Sequence, residues 1–379
     1  MPRPSDPEPD VLVLGDHPSA YLAAALLRQK SASIRVVHAP LPDPLPPDRL
    51  VLVNPAFFDL HPLVHPLRRK LDLTAVYGLR FLGEKPALAS EYRGKSALAL
   101  VTAFQPLRRE IIRLAERAGV LLLRAPDLHI HRLDEQGVDL TLGCRSMRPK
   151  AIIVGGVLPQ DQARALGLAE PWDAQVIHRY TLTGLPSRTQ VEPAGRPLLP
   201  MSLDLNDSLC WGWMLAHGSS LQLCLSQPLH DQHDPLETIE AWIALLHQHG
   251  ILKPPSIRLT QRQLVSAKLP LAGALTGEGV ANRTLVIGPA GGFYSACAED
   301  VYPNCWSALF AVEVMRKALH APHLQDALHP YRHTWRTTLG DYLRGPQQNL
   351  RFLLPLVFRN PMMTQRLTEA ILLGKSLVR

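Results

Sequence analysis

The sequence predicts an α/β protein: a dinucleotide-binding-type domain interrupted by an antiparallel β-sheet domain and followed by a helical tail. Three observations predict it. A strand, a glycine turn, a helix and a second strand follow one another within about 30 residues near the N-terminus, the opening unit of a dinucleotide-binding fold. Strand-like alternation then dominates from about 176 to 265, which reads as an inserted sheet. A short apolar strand at 284–287 (TLVI) returns to the parallel style and runs into a glycine turn and a long helix.

The elements follow in order. Residues 1–9 form a proline-rich lead-in, and 10–14 (DVLVL) a buried strand. After the turn at 15–19, residues 20–29 (AYLAAALLRQ) are rich in strong helix formers. Residues 34–38 (IRVVH) make the second strand, and the prolines of 40–47 (PLPDPLPP) force a loop. A helix covers 107–118 with apolar residues at helical spacing and Gly119 as its C-cap. Strand 120–123, a hairpin of 129–133 and 138–142, and strand 151–154 (AIIV) follow. Within the insert, 176–182, 209–215 and 221–225 read as strands and 235–249 as a helix. Residues 288–292 are the second glycine turn, 303–319 the long helix, and the tail from 324 is mostly helical. The domains are therefore 1–175 and 279–323 for the dinucleotide-binding type, 176–278 for the β-sheet domain, and 324–379 for the helical C-terminal region.

Composition narrows the function. With 46% hydrophobic and 19% charged residues, the 379-residue chain is globular rather than disordered. Its net charge of +7 is scattered, and without a basic block or nucleic-acid motif no nucleic-acid partner is expected. Five widely spaced cysteines and the lack of an apolar leader point to a reducing, cytoplasmic setting. No apolar run reaches the roughly 18 residues of a membrane span. The sixteen histidines include the pair His129 and His131 on one strand face. No carboxylate or cysteine set accompanies them, so no metal site is expected.

Four segments, in order, carry a resemblance. Gly15-Asp16-His17-Pro18-Ser19-Ala20 stands where Gly-x-Gly-x-x-Gly is expected. AIIVGGVLPQDQARALGL (151–168) is similar to Gly-Ala-Asp-Gly followed by Arg-x-x-Leu-Gly-Leu. CWGWMLAHG (210–218) is similar to Tyr-x-Trp-x-Phe-Pro-x-Gly, and TLVIGPAGGFYSACAEDV (284–301) to a Gly-Asp-Ala-Ala-Gly-Phe motif. Together they resemble the geranylgeranyl reductase family of FAD-dependent oxidoreductases, within the p-hydroxybenzoate-hydroxylase fold.

The resemblance implies a Rossmann-like FAD/NAD(P)-binding domain, with Gly15, Ala20, His38, Arg109, Gly288, Gly291 and Gly292 at the cofactor. It implies an apolar pocket at Trp211 and Trp213 for an isoprenoid-like or other hydrophobic molecule. Four positions that serve FAD most directly are nevertheless replaced. His17 stands where backbone glycine touches the pyrophosphate. His38 replaces the carboxylate that accepts from the ribose, and a neutral imidazole has one acceptor for two hydroxyls. Val157 replaces an aspartate. Pro289 replaces the ribityl-contacting aspartate and removes an N–H. Two outcomes stay open: a flavoprotein that holds FAD in an altered way, or a descendant that has lost it and serves as a lipid- or protein-binding scaffold.

Other candidates carry plainer alternatives. Glu299 and Asp300 could serve as an acid–base pair or favour the positive end of the following helix. Cys297 and Cys305 flank the second glycine turn as redox thiols or as small core residues. The apolar stretches 349–358 and 365–378, among Arg351, Arg359, Arg366, Lys375 and Arg379, could touch the inner face of a membrane. Alternatively, they are helices packed across the mouth of the second domain.

Overall fold

The computed structural model describes residues 8–41, 45–124, 127–168, 174–182, 196–205, 210–228, 233–253, 264–270, 279–294, 301–343 and 350–375. The first half runs β1 (Val11–Leu14), α1 (Pro18–Lys30), β2 (Val36–Ala39), β3 (Leu50–Val53), α2 (Leu67–Lys70), β4 (Thr74–Val76), β5 (Gly78–Leu82), β6 (Ala89–Arg93) and β7 (Ala99–Ala103). It continues through α3 (Phe104–Arg117), β8 (Leu121–Leu122), β9 (Leu128–Leu133), β10 (Val138–Leu142), β11 (Arg145–Met147), β12 (Ala151–Val154) and α4 (Gln160–Ala165). The inserted part holds β13 (Ala174–Leu182), β14 (Leu199–Leu205), β15 (Cys210–His217), β16 (Ser220–Pro228), α5 (Pro235–Gln248) and β17 (Leu264–Pro270). Then come β18 (Val280–Ala281), β19 (Thr284–Val286), α6 (Val301–Ala318), α7 (Leu324–Leu328), α8 (Pro330–Leu343), α9 (Leu350–Arg359) and α10 (Pro361–Leu373).

The first sheet has the order β18-β19-β12-β1-β2-β8. Its pairs from β19 to β8 are all parallel. Parallel strands need cover on both faces, and alternation supplies it. Val11, Val13, Ala151, Ile153 and Leu285 point towards α1, α3 and α6. Leu12, Leu14, Ile152, Val154 and Val286 point towards β9, β10 and α4. The alanines of α1 (Ala20, Ala23, Ala24 and Ala25, all 0% exposed) let α3 and α6 pack close to its axis. The expected α/β class with a parallel sheet, antiparallel sheets and a helical tail is what the chain forms.

The second sheet has seven strands in the order β17-β13-β16-β15-β14-β5-β6. Its last two strands come from the stretch before residue 100, where β5 joins β14 in parallel. One face buries Cys210, Met214, Leu223 and Leu225 against Ile239, Trp242 and Leu246 of α5. The other carries Phe81, Met201, Trp211, Trp213 and Leu215.

On that second face lie Val357 of α9 and Leu367, Ile371 and Leu372 of α10. Helices α9 and α10 are thus packed on the β-sheet domain, whereas Leu328, Tyr331, Trp335 and Leu339 of α7 and α8 join the first core. Burying each such side chain contributes about 1.5–3 kcal/mol. Polar contacts fix the register: the Ser90 and Thr364 hydroxyls lie 2.7 Å apart, and Asn54 donates to the Leu372 carbonyl at 3.4 Å. Among the described residues, no helix is long and apolar enough to cross a membrane.

Candidate functional site

The carboxyl ends of β1, β12 and β19 meet at one place, where an open parallel sheet binds dinucleotides. Three turns converge there. Gly15 has φ +136°, and a Cβ on it would stand 2.6 Å from the Gly156 nitrogen. Gly288 has φ +63°, and a Cβ on it would stand 2.3 Å from Ser19 Oγ. These glycines survive because the turns touch one another, a requirement that holds with or without a ligand. Gly291 ends the 3-10 turn Gly288–Gly291, and Gly292 caps it in the left-handed region. Ala20 is fully buried under Gly155.

His17 is the N-cap of α1. Its Nδ1 accepts from the Ser19 N–H at 3.2 Å and lies 2.9 Å from Ser19 Oγ. The Ala20 N–H is bonded to the His17 carbonyl at 3.0 Å. The first-turn donors that would face a diphosphate are therefore held by the chain itself. An Nδ1 that accepts is unprotonated, which leaves the imidazole neutral towards an anion.

His17 and Pro289 line the same small cavity, closed by Val157, Leu41, Leu45 and Leu269. Its volume of about 10 Å³ suits at most one water. Pro289 is the second residue of the 3-10 turn, whose Gly288 N–H is bonded to Ser307 Oγ at 2.9 Å.

His38 is fully buried. Its ring stacks on Tyr21 at 4.0 Å, and Nε2 donates to the Gly15 carbonyl at 2.8 Å. Burial pushes its pKa down to about 4, with the nearby Arg108 charge adding to the effect. The neutral ring keeps one lone pair, on Nδ1, which is buried without a partner. The residue that replaces the ribose acceptor is turned inward and serves the glycine turn.

Arg109 is exposed on α3, and its neighbour reaches the site instead. Arg108 donates to the Asp16 carboxylate, to the Asp16 carbonyl at 3.2 Å and to the Tyr21 hydroxyl at 3.2 Å. Tyr21 in turn donates to Asp16 at 2.7 Å. Burial and the Asp16 charge raise the Tyr21 pKa, so its proton stays in place. The guanidinium is committed to a carboxylate rather than facing the cavity. The sequence offers both Arg108 and Arg109 at the start of this helix and favours Arg109; the structure brings Arg108 to the site instead, with Asp16 and Tyr21, which the sequence reading did not single out. Helical phase could have found Arg108, since Phe104, Leu107, Ile111 and Ala115 are the buried positions of α3, and 108 lies beside that stripe while 109 lies opposite.

Trp211 and Trp213 are buried on one face of β15 within the second core. The Trp213 indole N–H is buried and has no acceptor. Glu299, Asp300 and Cys297 lie outside the described residues. Cys305 is a fully buried core residue of α6. His129 is exposed, and His131 bonds Thr141 Oγ1 at 2.7 Å. Among the described residues no group of three or more His, Cys, Asp or Glu is placed to hold a metal.

No protein-family profile matches the sequence, and no curated protein matches it. Solved structures do match in fold. A geranylgeranyl bacteriochlorophyll reductase-like protein from Thermoplasma acidophilum superposes with a TM-score of 0.66 at 14% identity, covering 95% of this chain and 87% of that one. The flavin-dependent brominase Bmp2 gives 0.66 at 16%, covering 96% and 93%. A mutant of the halogenase PltM in complex with FAD gives 0.68 at 12%, covering 95% and 83%. The chain thus has the fold of FAD-dependent oxidoreductases and halogenases, over nearly all its length. Its own residues do not fit that cofactor at the pyrophosphate and ribose positions. His17 fills the glycine's place and holds the helix donors, the cavity is water-sized, and His38 turns its remaining acceptor into the core.

Proposed function

We propose that this chain is a flavin-free descendant of the FAD-dependent oxidoreductase fold, acting as a binding scaffold for a hydrophobic small molecule or lipid. One observation carries the reading: the N-terminus of α1 is capped by the His17 side chain, and the cleft in front of it holds about 10 Å³. A dinucleotide needs both the donors and the space. Either His17 or Pro289 could be moved aside by a side-chain rotation or a loop shift. Displacing His17 gives up its bond to the Ser19 N–H, so FAD would have to replace that satisfied contact as well as open the cleft. The seven-stranded sheet supports the binding role through the apolar side chains Met201, Trp211, Trp213 and Leu215 gathered on one of its faces.

The test is a spectrum of freshly purified protein, followed by titration with FAD to tens of micromolar. A colourless protein with no absorbance near 450 nm and no heat of FAD binding is expected. A yellow preparation carrying one flavin per chain overturns the reading.

A further inference from the structure

A second cleft lies far along the chain from the glycine turns, between the β5–β6 turn, β14 and α9. Its volume is about 330 Å³, the lower end of the range for small-molecule sites. Leu82, Leu88, Leu203, Leu354 and Phe358 make its apolar walls. Four large apolar side chains are exposed among the described residues. One of them, Leu88 at 40%, is in this cleft. Two more, Leu356 at 45% and Met362 at 60%, follow along α9 and the start of α10. Leu356 and Met362 lie outside the cleft's lining, but Leu88 exposes apolar surface at a concave site with apolar walls, and such surface marks a place where something binds.

The walls are formed in advance. His249 Nε2 donates to the Gly83 carbonyl at 2.8 Å, and the Gly83 N–H donates to the Leu88 carbonyl at 2.8 Å, so the hairpin turn is held from two sides. On the opposite wall, Thr364 Oγ1 donates to the Val357 carbonyl at 2.7 Å and ties α10 to α9. Pro355, inside α9, also lines the cleft.

The charge is local and opposite to that of the whole. Glu84 and Asp204 line the cleft against a single Arg359, while the chain carries +7. Asp204 is half-buried, and the hydroxyl-bearing Ser202 beside it is 2% exposed. Carboxylates beside apolar walls discriminate for an ammonium on an apolar body, because the charge-assisted hydrogen bond is strengthened where water is displaced.

We infer that this cleft binds a cationic amphiphile: an amine on a short aliphatic or aromatic body, its ammonium between Glu84 and Asp204 and its body against Phe358, Leu203 and Leu354. The inference extends the binding-scaffold reading by naming a site and a ligand class.

The experiment titrates the full chain with octylammonium, 1-octanol and octyl sulfate in a calorimeter, each below its micelle concentration. Saturable binding of one octylammonium per chain is expected, with octanol and octyl sulfate at least about tenfold weaker. Glu84→Gln and Asp204→Asn should each weaken octylammonium by about tenfold and leave octanol unchanged. Glu84 is exposed, so its variant keeps the test valid if the half-buried Asp204 variant folds poorly. No octylammonium binding at millimolar concentration, equal affinity for all three probes, or indifference to Glu84→Gln each overturns the inference. A flavin titration on the same preparation reports on the dinucleotide cleft separately, so failure of one reading is not mistaken for failure of the other.

Discussion

Nδ1 of His17 accepts the Ser19 backbone N–H at 3.2 Å, placing an imidazole where a helix of this fold would meet a diphosphate. A side-chain acceptor at an N-cap contributes about 1 kcal/mol. His17→Ala should therefore lower stability by about 1 kcal/mol, read as a lower urea midpoint at unchanged slope. His17→Asn, whose short side chain supplies an acceptor, should stay within about 0.5 kcal/mol of the parent. His17→Gly should still take up no FAD, because Pro289 and His38 remain. Flavin uptake by that variant would show that one ring was the whole barrier.

His38 makes stability depend on pH. Burial holds its folded pKa down to about 4, against 6.5 for an unperturbed histidine. The unfolded chain therefore binds more protons in that interval, and stability rises with pH. The contribution is fully present above about pH 6.5 and is lost progressively as pH falls through about 4. From pH 7.5 to pH 5 the loss should be about 2 kcal/mol. Urea midpoints for the parent and His38→Gln at the two pH values isolate it, since glutamine does not titrate. Parallel pH profiles for the two proteins would refute the assignment.

Much of this was legible in the sequence, and the failures have physical causes. The replaced motif positions His17, His38, Val157 and Pro289 stood out because a glycine turn tolerates few residues. The role of His17 did not: an imidazole standing in for an asparagine cap depends on a ring rotation that no spacing encodes. Strands β3 to β7 span only three to five residues each, too short for periodicity to separate from loops. In β14, Pro200 argues against a strand, yet it is tolerated because it falls outside the ladder to β15, which begins at Met201.

The choice between Arg108 and Arg109 can be tested by subtraction. Arg108 joins Asp16 and Tyr21 in one half-buried cluster, and hydrogen bonds to charged groups are worth about 1.5–3 kcal/mol. Arg108→Ala should cost about 1.5 kcal/mol at neutral pH. Arg109→Ala, on the exposed face, should change stability by less than about 0.5 kcal/mol. Thermal melts of the two variants in low and moderate salt check the ordering. Equal losses would mean that the helix face, not the cluster, carries the effect.

Gly288 and Ser19 lock two turns together. A methyl group on Gly288 would stand 2.3 Å from Ser19 Oγ, and its φ of +63° strains any L side chain. Gly288→Ala should cost about 2 kcal/mol or more, combining the clash with roughly 1 kcal/mol of backbone strain. Adding Ser19→Ala removes the hydroxyl and should recover part of the loss but not the strain. A double-mutant cycle in urea measures the coupling. Additive losses would mean that the turns move apart and the two residues never meet.

Trp213 tests whether the second core is built for packing alone. Its side chain is fully buried, and its indole N–H has no acceptor. Truncation to alanine should cost about 3–5 kcal/mol, as for any large aromatic in a core. Phenylalanine keeps most of the apolar contact and removes a buried donor whose desolvation costs about 1–3 kcal/mol. The gain from deleting the N–H opposes the cavity left by the smaller ring. Trp213→Phe should therefore fall within about 1 kcal/mol of the parent, much closer than the change in volume alone suggests. A loss near that of the alanine variant would place an acceptor, from a ligand or a bound water, at the indole nitrogen in the working protein.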